Sequence, residues 1–137
     1  KRSSIHKDVS FFILHMNYLT HQLLNAEEIN LIKAELGKEI VEWEDGKNTA
    51  GSHASQVKNN LQINRNSDIS KKLSFLIKQK ILNEDLIKSF ALPKHIHGIM
   101  FTKSSKGMRY GRHIDNPYMS SGRADLSFTI FLSEKSL

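Results

Sequence analysis

The apolar positions run at helical spacing through the first two thirds of the chain and alternate like a strand near its end. Asn25 can cap a helix, and Glu28 stands three residues later where a capping box needs a carboxylate. Ile29, Ile32, Leu36 and Ile40 then recur on one face, predicting an amphipathic helix over about residues 25–41. Asp45-Gly46 and Thr49-Ala50-Gly51, in the stretch from Trp43, read as turn signals. Asp68 is placed to cap a second helix whose buried face holds Ile69, Leu73, Leu76, Ile77 and Ile81. Asn83-Glu84-Asp85 looks like a fresh helix start, and Pro93 ends that segment. From His95 to Phe101 histidines and apolar residues alternate as in a strand, and Ser104-Ser105-Lys106-Gly107 is a turn. The clearest strand is Ala124–Leu132, where Ala124, Leu126, Phe128, Ile130 and Leu132 alternate with Asp125, Ser127 and Thr129. Helices first and strands later is the order of an α+β domain.

A chain of 137 residues fits one domain with a sizeable core. It has no cysteine, which excludes disulfides, thiolate metal sites and a cysteine nucleophile and is compatible with a reducing cytoplasm, where the chain is expected to reside. No apolar run approaches the roughly 18–20 residues of a membrane span, so no membrane role is expected. Residues 1–15 read as an extension ahead of a more regular domain at 16–137, and both ends of the chain suggest a fragment. The net charge of +6 is uneven: four basic and seven acidic groups in residues 16–60, seven and three in 61–94, six and three in 95–137. A basic second half could meet an anion. We read it as a solvated lysine-rich surface, with nucleic acid not the expected partner.

His113-Ile114-Asp115 carries the chemistry. Residues i and i+2 of an extended segment point to one side, so an imidazole nitrogen and a carboxylate oxygen can converge on one metal ion. Two histidines and a carboxylate with open positions opposite form the facial triad of non-heme Fe(II) oxygenases, and this stretch offers two of the three. His-x-Asp alone is a weak signal in a chain with seven histidines. Gly107 and Gly111 supply pliant backbone around it, and Asn116-Pro117 stops the segment just after the carboxylate.

Two blocks around this pair carry a resemblance. Tyr110-Gly111-Arg112-His113-Ile114-Asp115-Asn116, followed by Arg123 through Ser133, resembles the PKHD-type hydroxylases, Fe(II)- and 2-oxoglutarate-dependent dioxygenases of the prolyl/lysyl hydroxylase-like group. Trp43 through Gly51, followed by Val57-Lys58-Asn59-Asn60-Leu61-Gln62, looks like the N-terminal signature of that family. The resemblance covers about residues 16–137 and implies N-terminal helices packed on the first strands of a double-stranded β-helix, or jelly roll, here incomplete. It implies His113 and Asp115 as iron ligands, Tyr110 in the cosubstrate pocket, and 2-oxoglutarate as cosubstrate, and it leaves room for ascorbate. The partners implied are O₂ and a small-molecule or peptide substrate. In the family a second histidine and a 2-oxoglutarate-binding arginine follow later in the chain. Neither lies before Leu137, so this chain alone is expected to be inactive.

Other candidates have plainer readings beside the functional ones. By strand alternation Tyr110 points away from His113, so pocket lining and edge packing weigh equally. Arg109 and Arg112 could greet an anionic substrate or simply face solvent. Asn116 could hydrogen-bond the Asp115 carboxylate or serve as a turn residue before Pro117. Ser127 and Thr129 could line a barrel mouth or form a half-exposed sheet face. His95 and His97 form a second same-face pair that could stand in as a third ligand; ordinary strand histidines are the plainer reading, and His53 reads as a loop residue. The 57–62 block could contact substrate or stabilise the junction of helices and strands. The rival to the enzyme is a non-catalytic, basic α+β or jelly-roll binding module whose His-x-Asp is incidental.

Overall fold

The computed structural model describes residues 18–49, 55–119 and 121–133. The expected extension at 1–15, residues Ala50, Gly51 and His53, and the last four positions lie outside the described residues.

Helix α1 spans Ala26–Leu36. Its start is the capping box: Glu28 N donates to Asn25 Oδ1 at 2.9 Å, and Asn25 N donates to Glu28 Oε2 at 2.8 Å. The helix stops earlier than its apolar spacing suggests, because Gly37 takes the C-cap and its N–H closes on Lys33 O at 2.9 Å. Ile40 is consequently exposed, while Val41 turns inward. Helix α2 spans Asp68–Asn83. Its cap is Ser67 and not Asp68: Ser67 Oγ accepts from Ser70 N at 3.2 Å, leaving Asp68 in the first turn where its charge suits the helix dipole. Ser70, Leu73, Ile77 and Ile81 form its buried face, whereas Leu76, expected there, lines a surface groove facing α1. Helix α3, Asp85–Ala91, follows at once and ends at Leu92, held at φ 45° just before Pro93.

The strands are short and antiparallel. Strands β1 (Trp43–Asp45), β3 (Leu61–Ile63) and β4 (Thr102–Lys103) form a sheet in the order β1-β3-β4, with Trp43 opposite Ile63 and Leu61 opposite Lys103. A 3₁₀ turn, Gly46–Thr49, leaves β1 at the Asp45-Gly46 turn signal. Strand β2 (Lys58–Asn59) pairs with β5 (Arg109–Tyr110), and β6 (Tyr118–Met119) pairs with β7 (Gly122–Arg123) in a hairpin.

Two expected strands are not realised. Residues 95–100 carry no ladder; pairing begins only where Ile63 N donates to Phe101 O at 3.2 Å. Beyond Ala124, whose N donates to Pro117 O at 2.8 Å, residues 125–132 carry no ladder, with Leu126 57% and Phe128 50% exposed while Ile130 and Leu132 pack against the core. An alternating pattern marks which face is apolar, but a strand also needs a neighbour to bond, and none is present among the described residues.

The core is built by Ile32 of α1, Leu73, Ile77 and Ile81 of α2, and Leu24, Val41, Ile63, Ile99 and Phe101 from the sheet and its approaches. The result is a mixed helix-and-strand architecture of the α+β class. No helix among the described residues is long and apolar enough to cross a membrane.

Candidate metal centre

The site grows out of the β2–β5 pairing. Lys58 stands opposite Tyr110, and Gly111 N donates to Val57 O at 2.8 Å. A side chain at 111 would collide here, since a Cβ would lie 2.9 Å from Val57 Cβ. Beyond Gly111 the ladder ends, and the chain turns back on itself. Gly111 O then faces His113 Nδ1 at 2.8 Å; a carbonyl only accepts, so Nδ1 carries the proton. That leaves His113 Nε2 pointing at Asp115 Oδ1, 3.2 Å away.

The imidazole nitrogen and the carboxylate oxygen thus face each other across this gap. A separation of 3.2 Å suits two adjacent positions on a first-row metal with bonds of about 2.1 Å. Neutral imidazole plus one carboxylate is a donor set that suits Fe(II), and the carbonyl on Nδ1 is the outer contact that fixes a metal-binding histidine's tautomer and ring orientation. The residues therefore fit such an ion. The His113 side chain is three-quarters covered, Asp115 is two-thirds exposed, and Ile114 between them is exposed. Among the described residues no group of three or more histidine, aspartate or glutamate side chains converges as a metal site.

Tyr110 does not point away from His113. The two rings stack, with centroids 3.8 Å apart and planes at 14°. Strand alternation would separate them, but it stops at Gly111, and the bend brings the imidazole over the phenol. Burial, and then the negative charge of Asp115, push the Tyr110 hydroxyl above the usual tyrosine range.

Several second candidates resolve into structural parts. Asn116 Oδ1 accepts from Tyr118 N at 3.0 Å, so it builds the turn before Pro117. His97 Nε2 faces Arg123 O at 3.2 Å and His97 Nδ1 faces Ser121 Oγ at 2.6 Å, so both its ring nitrogens fasten the β6–β7 hairpin. His95 meets His97 edge-on at 4.8 Å. Arg109, Arg112, Ser127 and Thr129 are exposed.

Sequence reasoning missed what the 57–62 block does one residue at a time. Lys58, Asn60 and Gln62 are buried at 3%, 6% and 2% exposure, while Val57 and Asn59 are exposed. The block is inside out: alternate polar residues face the interior. Lys58 Nζ donates to Thr49 Oγ1 at 3.3 Å and lies 5.1 Å from the centre of the Tyr110 ring. The Thr49 hydroxyl also reaches Gln62 Oε1, and Gln62 Nε2 reaches Met100 Sδ. Burial, then the neighbouring positive charge of Arg65, hold the Lys58 ammonium below the usual lysine range, opposed by Asp45. Asn60 packs so closely on Gly46 that its Oδ1 would overlap any Cβ there. The strict alternation of Lys58, Asn60 and Gln62 was the available signal.

Fold and site together define an α+β protein that brings an imidazole and a carboxylate together on a loop fixed to a sheet edge. The comparisons agree with the resemblance noted in the sequence. The chain is 74% identical over 121 residues to a PKHD-type hydroxylase of Prochlorococcus marinus strain MIT 9301, covering 88% of this chain and 54% of that protein. It is 71% identical over 120 residues to the PKHD-type hydroxylase of strain MIT 9215, and 51% identical over 119 residues to that of strain MIT 9313. By sequence the chain belongs with the PKHD-type hydroxylases. It spans about half the length of the curated relatives it matches. No family model and no solved structure matches it.

Proposed function

We propose that this chain is part of an Fe(II)- and 2-oxoglutarate-dependent dioxygenase that couples oxidative decarboxylation of 2-oxoglutarate to hydroxylation of a substrate. The observation that carries this reading is the 3.2 Å approach of His113 Nε2 to Asp115 Oδ1, in a chain that is 74% identical to a protein named PKHD-type hydroxylase. In this reading the strands around the site are the opening part of a jelly roll. His113 and Asp115 would hold the iron, which when bound would supply the redox chemistry that couples the 2-oxoacid to O₂. The chain's own residues do the positioning. Gly111 O keeps the imidazole in the tautomer that frees Nε2. The Tyr110 ring covers one face of the imidazole and keeps water from it. Ascorbate fits the reading as a reductant that keeps the iron ferrous.

The test is Fe(II)-dependent release of succinate from 2-oxoglutarate by the complete protein that contains this chain, with His113→Ala beside it. Turnover is expected to vanish in the variant, and unchanged turnover would sink the assignment. Two donors without a third make a weak site, so residues 1–137 alone are expected to bind Mn(II) only loosely, as read by electron paramagnetic resonance. Tight binding would point to a further ligand within this chain.

A further inference from the structure

The loop that carries His113 and Asp115 has two ends, and each is tied to the core-bearing part of the chain by a different device. At its start, Gly111 N donates to Val57 O at 2.8 Å. At its finish stands the β6–β7 hairpin. Asn116 Oδ1 accepts from Tyr118 N at 3.0 Å, and Pro117 O accepts from Ala124 N at 2.8 Å. The Asp115 backbone therefore runs straight into a loop closed between Pro117 and Ala124. Two residue pairs make a hairpin that is marginal by itself, and Tyr118 and Arg123 are exposed. Its place has to be fixed from outside.

His97 supplies that fixing. Ile96 packs on the core and Ile99 is buried within it, so the backbone at 97 belongs to the rigid part of the molecule. Arg123 O can only accept, so His97 Nε2 carries the proton and donates to it at 3.2 Å. Nδ1 is then free to accept from the Ser121 hydroxyl at 2.6 Å. One tautomer satisfies both partners, which lie on either side of Gly122. Gly122 has φ 134°, a conformation that glycine takes without strain, and a Cβ there would lie 3.8 Å from His97 Cε1. Residues 121–123 thus close around the edge of the imidazole. We infer that His97 is a positioning residue for the His113–Asp115 site: by fastening the β6–β7 hairpin to the core, it holds the Asp115 carboxylate opposite His113. That the pair takes up a metal rests on the dioxygenase reading; that His97 places Asp115 against His113 does not.

The test is NMR on the 137-residue chain in wild type and three variants. His97→Leu removes both bonds, His97→Gln keeps a side-chain amide that can donate to Arg123 O, and Ser121→Ala removes the Nδ1 partner alone. The readouts are solvent exchange of the Ala124 amide, the nuclear Overhauser contact between the His113 ring and the Asp115 β-CH₂, and broadening of the Asp115 signals by Mn(II). In His97→Leu the Ala124 amide is expected to exchange about tenfold faster, the worth of an ordinary hydrogen bond or two. The Overhauser contact should be lost, and the Mn(II) concentration for half broadening should rise about tenfold, the lower end of what outer contacts contribute to a metal site. His97→Gln should recover most of each change. A residue that merely staples the hairpin would alter the exchange and leave the other two readouts alone. A His113–Asp115 contact that persists in His97→Leu after exchange has quickened therefore overturns the inference. So does Ala124 exchange that does not change, or a wild type that lacks the contact. If Mn(II) broadens neither His113 nor Asp115 in wild type, the metal reading fails, and exchange and the Overhauser contact decide the inference without it. Should His97→Leu not fold, Ser121→Ala, expected to give smaller changes in the same direction, decides by the same criteria.

Discussion

Residues 24–101 supply every buried apolar side chain among the described residues, and residues 102–133 supply none. The first region is a small closed core: α1 lies on α2, and Glu28, besides capping α1, reaches Lys80 on α2 at 2.6 Å. The second is a set of two-residue strands and extended chain whose large side chains, Tyr118, Leu126, Phe128 and Phe131, stand in solvent. The candidate iron ligands belong to the second region, yet the buried polar row beneath them belongs to the first. His113 and Asp115 are thus held locally, through Gly111 and Tyr110, whereas the buried polar row is held by the global fold. Changes in the donor loop should therefore spare the core, whereas loss of the core should take the loop with it.

The largest effect should come from cutting the first region. Leu73 is fully buried, and Leu73→Ala should cost about 2–5 kcal/mol in urea unfolding monitored by helical circular dichroism, taking the site with it. If metal binding survived in a molecule whose helices had melted, the dependence of the second region on the first would be wrong. Gly111→Ala is a smaller and more selective blow. The new methyl would press within 2.9 Å of Val57 Cβ, and Val57 is exposed enough to yield. Helical unfolding should therefore shift by about 1 kcal/mol or less. The β2–β5 pairing should loosen, and the Gly111 amide should exchange faster with solvent. Unaltered exchange would mean that the close approach does not hold the loop.

The smallest effect is a matter of pH. The fold raises the Tyr110 pKa, so it favours the neutral phenol. That contribution is complete below the ordinary tyrosine value of about 10 and is lost as pH climbs through the higher folded value. Tyr110→Phe should delete the part of the ultraviolet phenolate titration that lies above the ordinary tyrosine range. A titration that kept that part would break the stacked arrangement at His113.

Local chemistry was readable along the chain wherever it is settled by neighbours in sequence. Asn25 and Glu28 announced the start of α1, and the His113-x-Asp115 spacing announced the approach of an imidazole to a carboxylate. Readings failed where the answer depends on distant chain. The row from Ala124 to Leu132 alternates without fault, but periodicity chooses a face and not a bonding partner. Tyr110 was placed on the wrong side because alternation was carried across Gly111, where the ladder ends. Lys58, Asn60 and Gln62 look like surface residues by composition, and only the folding of the 3₁₀ turn and Met100 over them puts them inside.

The pairing of Lys58 with Tyr110 joins positions about fifty residues apart, with α2 and α3 in the loop it closes. Closing so long a loop costs entropy before two residue pairs can return anything. The helices, whose contacts are near in sequence, have no such debt and should form early. The donor loop should therefore be the last part to assemble and the first to open during native-state breathing. In time as well as in space, the His113–Asp115 loop would be a late addition to a finished core.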